Sequence, residues 1–402
     1  MMDHRTPAPA LLPSDAMAGA QRAGLFVGGA GLVLGAAGLL LGVSPEHFFR
    51  SYLVGFMACL GVALGSLAIA MIHHLTGGGW GMIARRPLEA AAGTLPLLVL
   101  YFIPIALFGL KPLYPWARPE VVAGDAILQA KAAYLNVPFF LGRAAFYFVA
   151  WSALALTMAR WSREQDTAGP GPVGAERKFR LLSAPGLLLY GMTITFASID
   201  WVMSLDPHWF STIFGILFMG GQGLSALAFV IIVLASVRNL TPLAGVLKPL
   251  HFHDIGKLMF AFTMLWAYFS FSQFLIIWSG NLPEEIPWYL ERLHGVWGFV
   301  AVALVFVQFA APFLLLLSRD LKRNPRLLRN VALVVLAMRF VDLLWLIKPG
   351  VPGLSLHWMD VALPAGLFGL WLFVFVGRLR KRPALPVHDP FFAEAMAVHG
   401  GH

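Results

Sequence analysis

Residues 251–278 read HFHDIGKLMFAFTMLWAYFSFSQFLIIW. From Leu258 to Trp278 the run is apolar and aromatic, relieved only by Thr263, Tyr268, Ser270, Ser272 and Gln273. It matches the roughly 20 residues that an α-helix needs to cross the ~30 Å hydrocarbon core of a bilayer. Four ionisable residues, His251, His253, Asp254 and Lys257, nevertheless stand at its start. Each is costly in lipid. Whether such a helix belongs in a membrane depends on what surrounds it.

Composition gives the same answer. An average soluble domain is roughly a quarter charged. Here only 12% of 402 residues are charged and 59% are hydrophobic, with a mean hydropathy of +0.75. A soluble chain of this length could not cover so much apolar surface, so the chain is read as an integral membrane protein. The single cysteine, Cys59, lies in an apolar segment. One cysteine excludes an internal disulfide, a cysteine zinc site and a self-contained iron–sulfur cluster.

Ten segments have the length and apolarity of spans: about 22–42, 48–74, 87–110, 133–158, 181–203, 209–237, 252–279, 289–318, 327–347 and 357–378. They are continuous and rich in Leu, Ala and Gly, which points to helices rather than to the short alternating strands of a barrel. The expected fold is an all-α polytopic membrane protein. Residues 1–21 form an N-terminal segment, 22–378 the ten-helix membrane domain and 379–402 a C-terminal tail.

Lysine and arginine are distributed unevenly. The side carrying both termini holds twenty, including the runs ERKFR (176–180) and RDLKRNPRLLR (319–329), while the other side holds six. The positive-inside rule places both termini in the cytoplasm. The net charge of +9 is therefore a topology signal and a contact for lipid headgroups, and no nucleic-acid partner is expected. The first span lacks a small-x-small cleavage site before a polar mature domain, so it reads as a helix rather than a signal peptide. Its Gly24, Gly28, Gly31, Gly35, Gly38 and Gly42 form one face, which predicts a close helix–helix contact. The polar stretch 159–180 reads as a loop, and the tail 381–402 as a segment that lies on a partner or stays mobile.

Ionisable residues inside spans mark ion or proton routes. His253 and Lys257 share a face, and Asp254 and Lys257 are spaced to pair. They read either as an ion-paired helix start at headgroup level or as a hydrated proton inlet, extended by His73, His74 and Glu89. A second group lies towards the opposite side: Arg143, Asp200, Asp206, His208, Glu291, His294, His357 and Asp360, with Arg339 and Asp342 spaced to pair within span nine. Tyr190, Thr193, Thr195 and Ser198 in span five, with Tyr268, Ser270, Ser272 and Gln273 in span seven, are weaker polar groups between the two. No metal site, phosphate-binding glycine loop or Ser/His/Asp arrangement stands out. The histidines lie near helix ends, which disfavours haem ligation across facing helices.

The stretch HFHDIGKLMFAFTMLWAYFSFSQFLIIWSGNLPEE (251–285), with SIDWVMSLDPHWFSTIFG (198–215), resembles alternative complex III, a quinol:cytochrome c or blue-copper-protein oxidoreductase. The similarity is to the second of that complex's two large NrfD-like (polysulfide-reductase-like) membrane subunits, the F subunit, and extends over all ten spans. It implies two four-helix bundles, spans two to five and six to nine, flanked by the first and last spans. It implies a bacterial cytoplasmic membrane and oxidation of menaquinol or ubiquinol by the complex. Haem c and iron–sulfur clusters would sit on partner subunits, with no cofactor on this chain. The implied partners are a second NrfD-like subunit, an iron–sulfur subunit, multihaem cytochrome c subunits and small membrane subunits.

The resemblance also implies a role in proton translocation rather than catalysis. The expected proton-path residues are Asp200, His253, Asp254 and Lys257, which lie within the matching stretches. His73, His74, His294, Arg339 and Asp342 join them on physical grounds alone. Two alternatives stay open. One is a quinol site in this chain at His208–Trp209 or Glu291–His294. The other is a membrane scaffold whose polar groups serve only packing.

Overall fold

Proline and small polar residues set the helix boundaries. Ser44 accepts a hydrogen bond from the His47 amide at 3.2 Å, and Pro45 takes the first helical position after it. Asn324 caps the ninth span through the amides of Arg326 and Leu327 at 3.0 and 3.3 Å, again ahead of a proline. Both use the missing N–H of a proline where no helical partner exists for one. Asn281 ends the seventh span in the left-handed conformation, φ 50°.

The computed structural model describes residues 10–168, 176–350 and 356–392. It is 82% helix, with no strand among the described residues. Among the described residues ten helices are long and apolar enough to cross a membrane: Met17–Leu40, Pro45–Thr76, Gly79–Leu113, Val137–Thr167, Arg177–Leu205, Phe214–Val237, Pro249–Gly280, Gly295–Leu317, Pro325–Ile347 and Met359–Leu379. The protein is a multi-pass membrane protein. Below, its terminal side is where the first span begins and the last span ends.

Spans two and six form the centre. Their most apolar windows are 94% and 78% buried, against 22% for spans seven and eight. They touch backbone to backbone: a Cβ on Gly65 would sit 2.2 Å from the carbonyl oxygen of Gln222. Span two also packs on spans three and five, and span six on spans seven and nine. Spans one and ten pack along each other, with span ten against span two.

The glycine face of span one makes the contact its spacing predicts. A Cβ on Gly24 would lie 2.8 Å from the carbonyl oxygen of Gly369, and one on Gly31 2.4 Å from the Cα of Gly366. Leu370, Leu363 and Met359 occupy the space beside Gly28, Gly35 and Gly38. Gly42 lies beyond the helix at φ +87° with open space around it, so the face ends one glycine earlier than the pattern, at Gly38.

Several boundaries differ from the sequence expectation. Span three starts at Gly79 rather than near 87, so Arg85 and Arg86 are helical and buried, not loop residues. Span four continues to Thr167 and takes in much of the expected loop 159–180, of which 169–175 fall outside the described residues. The stretch 289–293 belongs to a separate short helix, Ile286–Leu293, because the chain turns at Gly295, φ +58°. The tail is corrected as well. Residues 381–392 fold back onto the chain's own terminal side, burying Leu385 and Phe392 at 2% exposure each. Residues 1–9 and 393–402 of the two terminal segments lie outside the described residues.

Gly31→Leu therefore forces spans one and ten apart. We expect it to lower thermal stability in detergent by about 1–3 kcal/mol, the usual cost of overpacking. Gly29→Leu, where a Cβ meets nothing within 4 Å, leaves the unfolding temperature unchanged.

Candidate functional site

Charged groups collect at three levels of the molecule. On the terminal side the helix from Gly79 carries Arg85, Arg86 and Glu89 one turn apart. Arg85 donates to Glu89 at 2.7 Å, to Asp389 of the tail at 2.7 Å and to Gln165 at 2.8 Å. Arg86 donates to Glu89 at 2.9 Å and to Ser162 at 2.7 Å, and pairs with Asp166. Arg382 of the tail closes the group on Asp166 at 2.8 Å. The two guanidinium groups were legible only as positive-inside charges. The spacings within RRPLE (85–89), i to i+4 and i to i+3, are the signal that pairs them with Glu89.

His73 and His74 lie beside this network. His74 stacks on Phe179 at 4.5 Å, and Arg85 stands 5.1 Å from the same ring. His73 fits because residue 81 is glycine: a Cβ there would be 1.8 Å from its Nδ1. His73 Nδ1 and His74 Nε2 are buried without a hydrogen-bond partner.

His253, Asp254 and Lys257 open span seven on the same side. Lys257 Nζ is 2.8 Å from Asp254, and the lysine is half-exposed. The Lys248 amide donates to His251 Nδ1 at 3.2 Å, which caps the helix. The stretch that posed the lipid-cost problem is thus an ion-paired, capped helix start.

Two further arginine–aspartate pairs lie within the spans, one between helices and one inside a helix. Arg143 of span four grips Asp200 of span five with two bonds of 2.9 Å, and Tyr147 donates to the same carboxylate at 2.9 Å. The Arg143 guanidinium is also sandwiched against Tyr134 and Phe139, 3.8 and 4.3 Å from their ring centroids. Asp200 is fully buried. The sequence placed these two residues in adjacent spans without pairing them, because span rotation is not fixed by length.

Arg339 and Asp342 pair within span nine, both buried, and Trp266 of span seven donates to Asp342 at 3.2 Å. Gly221 makes room for Arg339: a Cβ there would meet its Nη2 at 2.0 Å. A cavity of about 350 Å³ between spans two, six, nine and ten is lined by Arg339, Gln222 and Ser225. A second, of about 690 Å³, is lined by Asp342, Trp266, Gln273 and Tyr289. Tyr190 donates to Gln222 at 2.9 Å, while Gln222 Nε2 and Arg339 Nε are buried without partners.

On the far side His208 sits 2.6 Å from Asp125. Trp209 stacks face to face on Trp288 at 4.3 Å. His294 Nδ1 lies 2.5 Å from the Leu290 carbonyl oxygen and is exposed. Glu291 is half-exposed, and burial raises its carboxyl above the usual range. His208, Trp209 and His294 each contact a neighbour, while Glu291 lies 4.0 Å from Arg292 and Trp209 Nε1 is buried without a hydrogen-bond partner. Arg292 is buried in this region, donates to the Trp288 and Leu346 carbonyls at 2.9 and 3.0 Å and is pushed down to about 9 by burial. A further group joins spans two, nine and ten. Asp360 accepts from Ser51 at 2.5 Å and lies 2.8 Å from Lys348 Nζ and 3.3 Å from His47 Nε2. Burial pushes the Lys348 ammonium below its usual value, against the pull of Asp360. Among the described residues no group of three or more His, Cys, Asp and Glu is arranged to hold a metal.

No protein-family profile matches the chain, and no curated protein matches it.

Removing one partner of a buried ion pair costs about 3–5 kcal/mol, whereas replacing both is often neutral. Asp200→Leu should lower thermal stability by that order, and adding Arg143→Leu should restore most of it in melting experiments on the purified protein. The partly buried Asp125 caps the helix Ala126–Lys131, and the Leu128 amide, followed by His208, holds its carboxyl below the usual range. A lowered carboxyl contributes stability above its unfolded value and loses it as pH falls through the folded one. Exchange protection of the Ile127 and Leu128 amides should therefore persist near pH 5 and fade below about 3.9.

Proposed function

We propose that the chain is a non-redox membrane subunit of a quinol-oxidising electron-transfer complex of the alternative complex III type. In this reading it moves protons while neighbouring subunits carry electrons through iron–sulfur clusters and c-type haems. The resemblance at 198–215 and 251–285 supports the complex. The excess of Lys and Arg on the terminal side supports termini in the cytoplasm of a bacterial inner membrane.

The observation that carries the proton role is the Arg339–Asp342 pair, with a cavity of about 350 Å³ at the arginine and one of about 690 Å³ at the aspartate. A saturated pair such as Arg143–Asp200 has nowhere to move. Arg339–Asp342 has space on both sides. A proton reaching Asp342 neutralises the carboxylate and weakens its hold on Arg339. The guanidinium is then free to turn towards Gln222, and loss of the proton restores the pair. Buried polar atoms left without partners, such as Gln222 Nε2, are where bridging water binds.

Span seven supplies the line of approach. His253, Asp254 and Lys257 stand at its terminal end, and its buried stripe continues through Thr263 and Trp266 to Gln273 near the far side. Ser211 donates to Gln273 at 3.1 Å, and Gln273 donates to Tyr289 at 3.3 Å. Alternating access of Asp342 to the two ends of this stripe carries a proton across.

The test begins with a tagged chain extracted gently from its membrane. It should bring with it a multihaem cytochrome, an iron–sulfur protein and a second NrfD-like chain. In proteoliposomes holding that complex, Asp342→Asn should leave quinol oxidation intact and lower the number of protons moved per electron. Asp342→Glu should recover part of the loss. An unchanged proton-to-electron ratio in assembled Asp342→Asn complex would overturn the role given to this pair.

A further inference from the structure

Three arginines on the terminal side have no carboxylate of their own. Arg238 follows the end of span six, Arg323 closes the short helix Arg319–Arg323, and Arg326 stands in the first turn of span nine. With Asp320, Pro249 and Pro325 they line one pocket of about 440 Å³, within the range of about 300–1,000 Å³ typical of small-molecule sites. No ion pair or side-chain hydrogen bond engages the three guanidinium groups among the described residues, and Arg323 Nε is buried without a partner. Elsewhere on this side cations are matched. Arg85, Arg86 and Arg382 meet Asp389, Glu89 and Asp166, and Lys257 meets Asp254.

The lining therefore carries an uncompensated charge. Three guanidinium groups face one carboxylate, Asp320, which leaves two positive charges in excess. The surrounding chain does not relieve it, since 319–329 holds five Lys and Arg against that single acid. Pro249 and Pro325 are the first residues of spans seven and nine, so the positive ends of two long helices add to the same field. Spans six, seven and nine all begin or end at the pocket, which sets it at the depth of lipid headgroups. Leu317, three residues before Asp320, and Leu327, next to Arg326, are 57% and 48% exposed. Apolar surface for acyl chains thus begins beside the charged lining.

We propose that this pocket binds the headgroup of a membrane lipid with two phosphates joined by one glycerol (cardiolipin). The two negative charges of the lipid match the excess of two. The guanidinium groups take phosphate oxygens in pairs of parallel bonds. Asp320 accepts from the hydroxyl of the bridging glycerol, and the acyl chains run over Leu317 and Leu327. Free phosphate offers the same anion without the chains, and a zwitterionic headgroup leaves the excess charge in place. The binding does not depend on the chain moving protons or on its belonging to an electron-transfer complex.

The test uses the full-length chain, stripped of lipid in dodecyl maltoside and titrated with cardiolipin under native mass spectrometry. One cardiolipin should bind about tenfold or more tightly than phosphatidylethanolamine, and the preference should shrink as salt rises. Arg323→Gln with Arg326→Gln should weaken cardiolipin about tenfold or more and leave the melting temperature unchanged. Arg177→Gln with Arg180→Gln removes the same charge from the terminal side outside the pocket, and should leave the affinity unchanged. Displacement of the lipid by millimolar inorganic phosphate would assign the site to a free anion and overturn the proposal. Equal binding of phosphatidylethanolamine by the unaltered chain, or equal weakening by the Arg177 and Arg180 changes, would overturn it too.

Discussion

A charge held in hydrocarbon must find its partner within the protein, because neither water nor lipid supplies one. Much of the arrangement of this chain follows from that requirement. Arg143 and Asp200 tie span four to span five. Asp360 and Lys348, with Ser51, tie span ten to spans nine and two. Arg85, Arg86 and Glu89 draw Ser162 and Asp166 of span four and Asp389 of the tail onto span three. Each set joins elements that apolar packing alone would leave free to rotate against one another.

Between those fixed points the helices pack by shape. Lipid tails are as apolar as leucine, so helices gain little from burying leucine and more from close approach. The contact of Gly65 with Gln222 brings the two central spans together, and the glycine face of span one does the same with span ten. Breaks in regular helix fall where other helices can satisfy them. Span three is interrupted at Gly93 and Thr94, and Trp371 of span ten donates to the Thr94 hydroxyl at 2.7 Å.

The ion centres differ in how much freedom they retain. Asp200 is held by two bonds from Arg143 and one from Tyr147, and serves as an anchor. Asp342 and Arg339 have cavities beside them and unpartnered polar atoms at Arg339 and Gln222. Two carboxylates paired with arginine in similarly apolar spans are thus given different capacities by the space around them. Gly221 contributes to that difference, since any side chain there would fill the position of the Arg339 guanidinium.

The class of fold, the number of spans and their alternation can be read from the residues alone, because hydrocarbon thickness converts directly into a count of apolar residues. So can pairs lying within one helix, Asp254–Lys257 and Arg339–Asp342, since three residues are nearly one turn. The glycine face of span one was legible for the same reason, though not its partner. Pairs between helices became visible with the packed helices. Arg143 meets Asp200, Lys348 meets Asp360 and the tail meets Arg85 because helices rotate and slide until charges and small residues coincide, and a hydropathy pattern holds no record of that rotation. The cavities beside Asp342 and Arg339 were beyond reach for a further reason. They are spaces left between four or more helices, and no segment encodes such a space alone.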